Sequence, residues 1–438
     1  MRRNHVTLLL VSLLAASVPV PPAAAAPSCF GRAATIVGTD DDDEITGTPG
    51  RDVIYAGKGR DEVHAGGGKD LVCGAGAIDL LYGEGGNDRL QGGPGYVDDW
   101  LFGGGGADRL LPGCNGPEGD LMEGGAGPDR LLGNPCGSAS MVPGPGDDFV
   151  RAIRGEVTFP HASGPIDADL TEGVVTGEGR DVIEVVRRDP GSDDRLVTVV
   201  GTDFDDRLVG GPLPDSFQGR GGDDVIEGRG GADFLDPNTG ADTISGGGGD
   251  DLVVVYDGTV AAGGPGDDAV LCEPRFERQG ATFDGGAGSD WVSFFGLPGE
   301  GVVDLGAGTA TCSFTYESSL PPTTVVMELA LESVENVESD RTRLDVTGSA
   351  ERNVLRGGSG GDVLRGAGGD DEIDGDNGSD EIRGGDGDDR LLGGTWGDEL
   401  FGDAGDDFLD GEEGPDSVDG GEGRDECSGE TRTACEDS

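Results

Sequence analysis

Aspartates recur in this chain at a fixed interval. Asp43, Asp52, Asp61, Asp70, Asp79 and Asp88 stand nine residues apart, each followed two positions later by a large aliphatic residue. The series goes on with longer steps through Asp99, Asp108, Asp120, Asp129 and Asp148, and resumes at Asp206, Asp215, Asp224, Asp233, Asp242 and Asp251, with looser copies at Asp268 and Asp290. It is most regular at the end, where Asn353 leads Asp362, Asp371, Asp380, Asp389, Asp398, Asp407, Asp416 and Asp425. Paired carboxylates can act as acid and base on a glycosidic bond, but carboxylates at every ninth residue mark no particular pair. Binding of a hard cation accounts for nearly all of them. Calcium takes six to eight oxygens at about 2.3–2.6 Å and accepts main-chain carbonyls, whereas magnesium demands a stricter octahedron. The pattern is not an EF-hand: its nearest approach, from Asp406 to Gly411, has Phe408 where a ligand belongs and Ser417 at the twelfth position.

The residues around each aspartate say what positions it. They read close to G-G-x-G-x-D-x-U-x with U apolar, as in Gly384–Leu392, Gly103–Leu111 and Gly246–Val254. Six glycine-rich positions suit a tight turn, and x-U-x is a short strand that points U to one side and its neighbours to the other. Two such units close a coil of 18 residues. Stacked coils form two parallel sheets, about 4.8 Å per layer, with the U side chains between them. Residues such as Ile45, Ile54, Val63, Leu364, Ile373 and Val418 are then the core, and aspartates 18 residues apart sit one above another at each edge. Such a column repels itself unless cations lie between its layers. The expected class is all-β.

These units resemble the calcium-binding nonapeptide repeats of the haemolysin-type, or repeats-in-toxin (RTX), family. The resemblance covers roughly residues 38–151, 201–293 and 348–428. It implies a right-handed parallel β-roll, a β-helix-like solenoid, with the ladder aspartate carboxylates and loop carbonyls as ligands to multiple Ca²⁺ ions. Many relatives append the repeats to an enzyme or a pore-forming domain and are exported by a C-terminal signal. Here the repeats fill most of the sequence.

Composition sets the remaining limits. The chain has 438 residues, 88 glycines, 5% aromatics and a net charge of -57. So acidic a surface repels phosphate backbones and anionic lipid heads, which argues against nucleic-acid binding and direct membrane insertion. Low hydrophobicity with high charge also suits a disordered chain, yet such a chain has no reason to hold a register of nine. Only one U side chain is buried per nine ordered residues, so the blocks are expected to fold when metal binds. Arg2 and Arg3 before an apolar run from Val6 to Val18, then Ala23–Ala26, predict a Sec-type signal peptide over residues 1–26 and hence a secreted, extracellular protein. Eight cysteines in an exported chain suggest disulfides. Eight allow 105 connectivities, and neighbour pairing gives Cys29–Cys73, Cys114–Cys136, Cys272–Cys312 and Cys427–Cys435.

The expected organisation is a repeat block over 27–151, a non-repeat β segment over 152–200, a second block over 201–293, a second non-repeat segment over 294–347, a third block over 348–428, and a disulfide-closed cap over 429–438. The two interruptions resemble each other and suit longer metal-free coils or a hairpin that continues the solenoid. Nothing in the chain reads as a catalytic centre. There is no H-E-x-x-H, and the G-x-S-x-G around Ser359 lies inside a repeat loop with no histidine near it. His64 is expected to face outward from a repeat strand, and His161 lies in an interruption. The expectation is a secreted, non-enzymatic calcium-binding protein with a structural, adhesive or calcium-buffering role, with cell-surface or extracellular polysaccharide as a further partner. The alternative is a carbohydrate-active β-helix protein that uses the repeats as scaffold and an interruption as its site.

Overall fold

The structure is a computed structural model, and it describes residues 26–94, 98–113, 119–135, 137–186, 197–256, 258–272, 280–295, 299–316 and 323–435. The expected signal peptide, but for Ala26, and the expected Cys114–Cys136 bridge lie outside these residues. Among the described residues there is no helix; short strands stack into a β-solenoid of about 20 turns.

Two sheets face each other, and the chain alternates between them. In one, Ile54, Val72, Leu90, Leu110, Leu131 and Val150 follow one another in parallel register. In the other, Ile45, Val63, Leu81 and Leu101 do the same. The third block repeats the arrangement with Leu355, Ile373, Leu391 and Leu409 opposite Leu364, Ile382, Leu400 and Val418. All of these but Ile45 are fully buried. The period-two alternation of x-U-x therefore puts one side chain per strand into a single narrow core that runs the length of the molecule.

The interruptions do not break this core. In the first, Asp167–Asp169, Val174–Thr176 and Arg180–Val185 pair antiparallel in sequence, and the outer two strands pair in parallel with Arg207–Val209 and Phe149–Ala152. In the second, Gly299–Asp304, Thr309–Tyr316 and Thr323–Glu332 form the same device between Arg343–Thr347 and Ala281–Ala287. Each insert adds three strands to one sheet where a regular coil adds one. The opposite sheet runs on without interruption, through Gly155–Thr158 to Val197–Val200 and through Trp291–Phe294 to Asn336–Ser339.

Disulfides tie the parts that the repeat does not hold. Cys29–Cys73 fastens an N-terminal hairpin to the outside of the first block, Cys272–Cys312 joins the second insert to the opposite sheet, and Cys427–Cys435 closes the last turn. These are three of the four expected pairs.

Candidate metal centre

The ladder aspartates stand at the two edges where loop meets strand, and they stack as the 18-residue coil requires. The main-chain N–H of one ladder aspartate donates to Oδ1 of the aspartate one turn on: Asp52 to Asp70, Asp70 to Asp88, Asp371 to Asp389 and Asp389 to Asp407, at 2.7–2.8 Å. Where loops carry extra residues the bond survives, from Asp79 to Asp99 and from Asp99 to Asp120. Beyond the first coil one oxygen of the ladder carboxylate thus belongs to the stacking of turns, and apart from half-buried Asp43 the ladder side chains are almost wholly withdrawn from solvent.

The second oxygen divides the ladder into two kinds. In Asp61, Asp70, Asp79, Asp88, Asp108, Asp129 and Asp148, Oδ2 is buried and, among the described residues, meets no hydrogen-bond donor. The same holds for Asp224, Asp242, Asp268 and Asp290, and for Asp362, Asp371, Asp380, Asp389, Asp398, Asp407 and Asp425. The turns that open each block differ. There the residue four before the aspartate fills the second oxygen: Thr39 and Thr48 donate main-chain N–H and hydroxyl to Asp43 and Asp52, Thr202 does so to Asp206, and Gly211 N–H donates to Asp215. Asn353 goes further, because its Nδ2 donates to the Glu335 carbonyl at 2.6 Å while its Oδ1 accepts the Ser349 N–H. Asp99, Asp120, Asp233, Asp251 and Asp416 are buried in the same columns and each accepts a ladder N–H on Oδ1.

Most ladder aspartates have a glycine five residues before them, with Ala56, Ala65, Pro143 and Pro237 in its place before Asp61, Asp70, Asp148 and Asp242, and that glycine shows what surrounds the second oxygen. A Cβ on Gly366 would stand 2.1 Å from Asp371 Oδ2 and 2.6 Å from the carbonyl oxygen of Gly384, one turn on; on Gly402 the corresponding distances are 2.4 Å to Asp407 Oδ2 and 2.3 Å to the Gly420 carbonyl. Any side chain there would fill a space bordered by oxygens of two successive turns. Among the described residues no three His, Cys, Asp or Glu side chains converge on one point. A cation at the ladder must therefore draw on main-chain carbonyls as well as on single carboxylates, which suits calcium.

Burial without a donor also shifts the acids. Burial, reinforced by neighbouring ladder carboxylates, pushes Asp79 and Asp224 up to about 8 and Asp88, Asp99, Asp129, Asp148, Asp380 and Asp389 up to about 7. The ladder N–H bond works the other way in each and does not offset the burial. Without a cation these groups hold protons near neutrality.

One ladder residue escapes the nine-residue count. Asp181, in Gly177–Ile183 (GEGRDVI), accepts the Asp148 N–H, is buried, and is pushed up to about 6 by burial with Glu178 and Asp147 beside it. Its G-x-G-x-D-x-U signal is intact, but it lies 33 residues beyond Asp148 because the first two strands of the insert intervene. The histidines stand apart from the ladder. His64 is partly exposed, stacks on Tyr82 and bonds Glu62 and Glu84, while His161 lies 3.7 Å from Glu123.

Residues 37–72, 98–113, 200–235, 238–259, 347–382, 366–395 and 396–430 match the family model for the RTX calcium-binding nonapeptide repeat (4 copies). No curated protein matches the chain.

Proposed function

The chain belongs to the RTX calcium-binding nonapeptide repeat family, and on that premise we propose that it is an extracellular protein whose fold is completed by many calcium ions held along its two edges. The observation that carries this reading is the column of buried carboxylate oxygens that meet no donor. A buried polar atom left unsatisfied costs about 1–3 kcal/mol, more when it is charged, and here the cost recurs at turn after turn. Calcium, when bound, supplies the positive charge and the coordination that these oxygens lack.

The aspartates with an open second oxygen would hold the ions, together with carbonyls such as those of Gly384 and Gly420 that border them. Asp43, Asp52, Asp206, Asp215 and Asn353 take part less, because their own loops already occupy the oxygens in question. Export through the N-terminal segment fits this division of labour. A chain that stays open at low intracellular calcium can thread a translocon and fold outside, where calcium is plentiful. We read the role as structural, adhesive or calcium-buffering rather than catalytic, with extracellular polysaccharide as a further partner. Native mass spectrometry of the mature chain in calcium and in excess chelator tests the multiplicity. A series of calcium adducts that chelator removes is expected; retention of one or two ions only, or of none, would contradict it.

A further inference from the structure

We propose that the N-terminal end of the solenoid carries a binding site for a tetrahedral oxyanion, a sulfate or phosphate group, set between the disulfide-anchored hairpin and the first repeat block. An open cleft of about 660 Å³ lies there, and Arg32, Arg51, Lys69 and Arg89 line it with Asn87. Four cations in one cleft are unexpected on a chain of net charge -57. Elsewhere arginines and lysines largely neutralise acids across turns, as Arg365 does with Asp345 and Lys58 with Asp40. Among the described residues these four make no ion pair, and Nε of Arg89 is buried without a hydrogen-bond partner. Asp70, which feels the charge of Arg51, is itself fully buried.

The solenoid builds the site by repetition. Arg51, Lys69 and Asn87 occupy the same position of successive coils, 18 residues apart, immediately before the ladder aspartate. Arg89 continues the strand column above Val53 and Leu71. The hairpin supplies the opposite wall. Ser28–Cys29 pairs with Arg32–Ala33 around a two-residue turn in which Phe30 and Gly31 both have positive φ, 48° and 73°. That turn favours Asn-Gly, and an aromatic residue at its first central position is strained. The strain places the Phe30 ring 4.1 Å beneath the Arg89 guanidinium carbon, and the Cys29–Cys73 bridge fixes the hairpin on the sheet. The guanidinium is thus held by its face, which leaves its N–H groups to a ligand. Guanidinium and ammonium groups converging in this way match an oxyanion with three or more acceptor oxygens.

The test is isothermal titration of the full-length calcium-loaded chain with sodium sulfate and, separately, with a monosulfated disaccharide, at constant ionic strength set by chloride. Saturable binding at one site is expected. Affinity should fall tenfold or more in Arg51→Gln/Lys69→Gln and in Arg32→Gln, the latter lying outside the repeat ladder, while Arg365→Gln, far along the chain, binds as the parent does. Equal affinity for the two probes assigns a free anion, and tighter binding of the disaccharide assigns a sugar-borne one. Absence of saturable binding, or undiminished binding by variants that retain the parent's β spectrum and calcium count, would overturn the proposal; because those two readouts are taken on every sample, that result is distinguishable from failure of the calcium reading.

Discussion

At the scale of the residue, the ladder aspartate has two oxygens with separate duties, and substitution can divide them. Asparagine at Asp380 keeps an oxygen to accept the Asp362 N–H and turns an amide toward the Gly393 carbonyl that borders the second oxygen, the reverse of Asn353, whose amide faces the Glu335 carbonyl one turn back. Asp380→Asn should therefore lower the number of bound calcium ions yet stabilise the calcium-free fold by about 1 kcal/mol or more, since it removes an unsatisfied buried charge. Ion counting and unfolding in chelator check the two halves. The pH dependence follows from the same oxygens. Burial raises the folded-state pKa of ladder acids, to about 7 or 8 at Asp88 and Asp79, above the value near 4 of an exposed aspartate. The calcium-free folded state thus binds more protons than the unfolded one, and its stability is greatest below about pH 4 and declines as pH rises through 8. Calcium must displace those protons, so its affinity should weaken as pH drops from 8 to 6, with proton release measurable in weakly buffered titrations.

At the scale of the element, the loops are not equivalent although they share a motif. Opening turns carry Thr or Ser four residues before the ladder position, at Thr39, Thr48, Thr202 and Ser349, and these fill the ladder side chain's acceptors locally. Asp206→Asn should accordingly leave the calcium count unchanged where Asp224→Asn lowers it; a drop of equal size in both would show that the hydroxyl does not substitute for metal. The inserts behave as elements of the sheet. Cys272–Cys312 ties the second one to the opposite sheet, and replacing both cysteines by serine should cost about 2–4 kcal/mol, read from thermal unfolding in calcium. Much of this was legible in the residues. The x-U-x alternation placed Leu364, Ile382 and Leu400 in the core, and the 18-residue coil stacked Asp371 on Asp389. What escaped is instructive. Asp181 carries the full local signal, yet the first two strands of the insert separate it from its neighbour, and a count by nines does not cross a hairpin. The split between open and filled carboxylates depended on which loops turn an N–H, with or without a hydroxyl, onto the second oxygen, which composition does not record.

At the scale of the whole molecule, a core one side chain wide runs between two acidic edges. Each repeat buries little apolar surface for the nine residues it orders, and like charges stack at about 4.8 Å along each edge. The parts with other means of support, namely the opening turns, the disulfide-bound hairpin and the antiparallel inserts, punctuate this column but do not replace it. On the proposed function the net charge of -57 describes the chain before metal binds, and calcium ligation would take up much of that acidity. The measurement that bears on this most directly is far-UV circular dichroism of the mature chain at pH 7.5, first in excess chelator and then through a titration to millimolar calcium. The account predicts a largely unfolded spectrum in chelator and cooperative, reversible gain of β structure as calcium is added. A β spectrum that stays unchanged in excess chelator would contradict it.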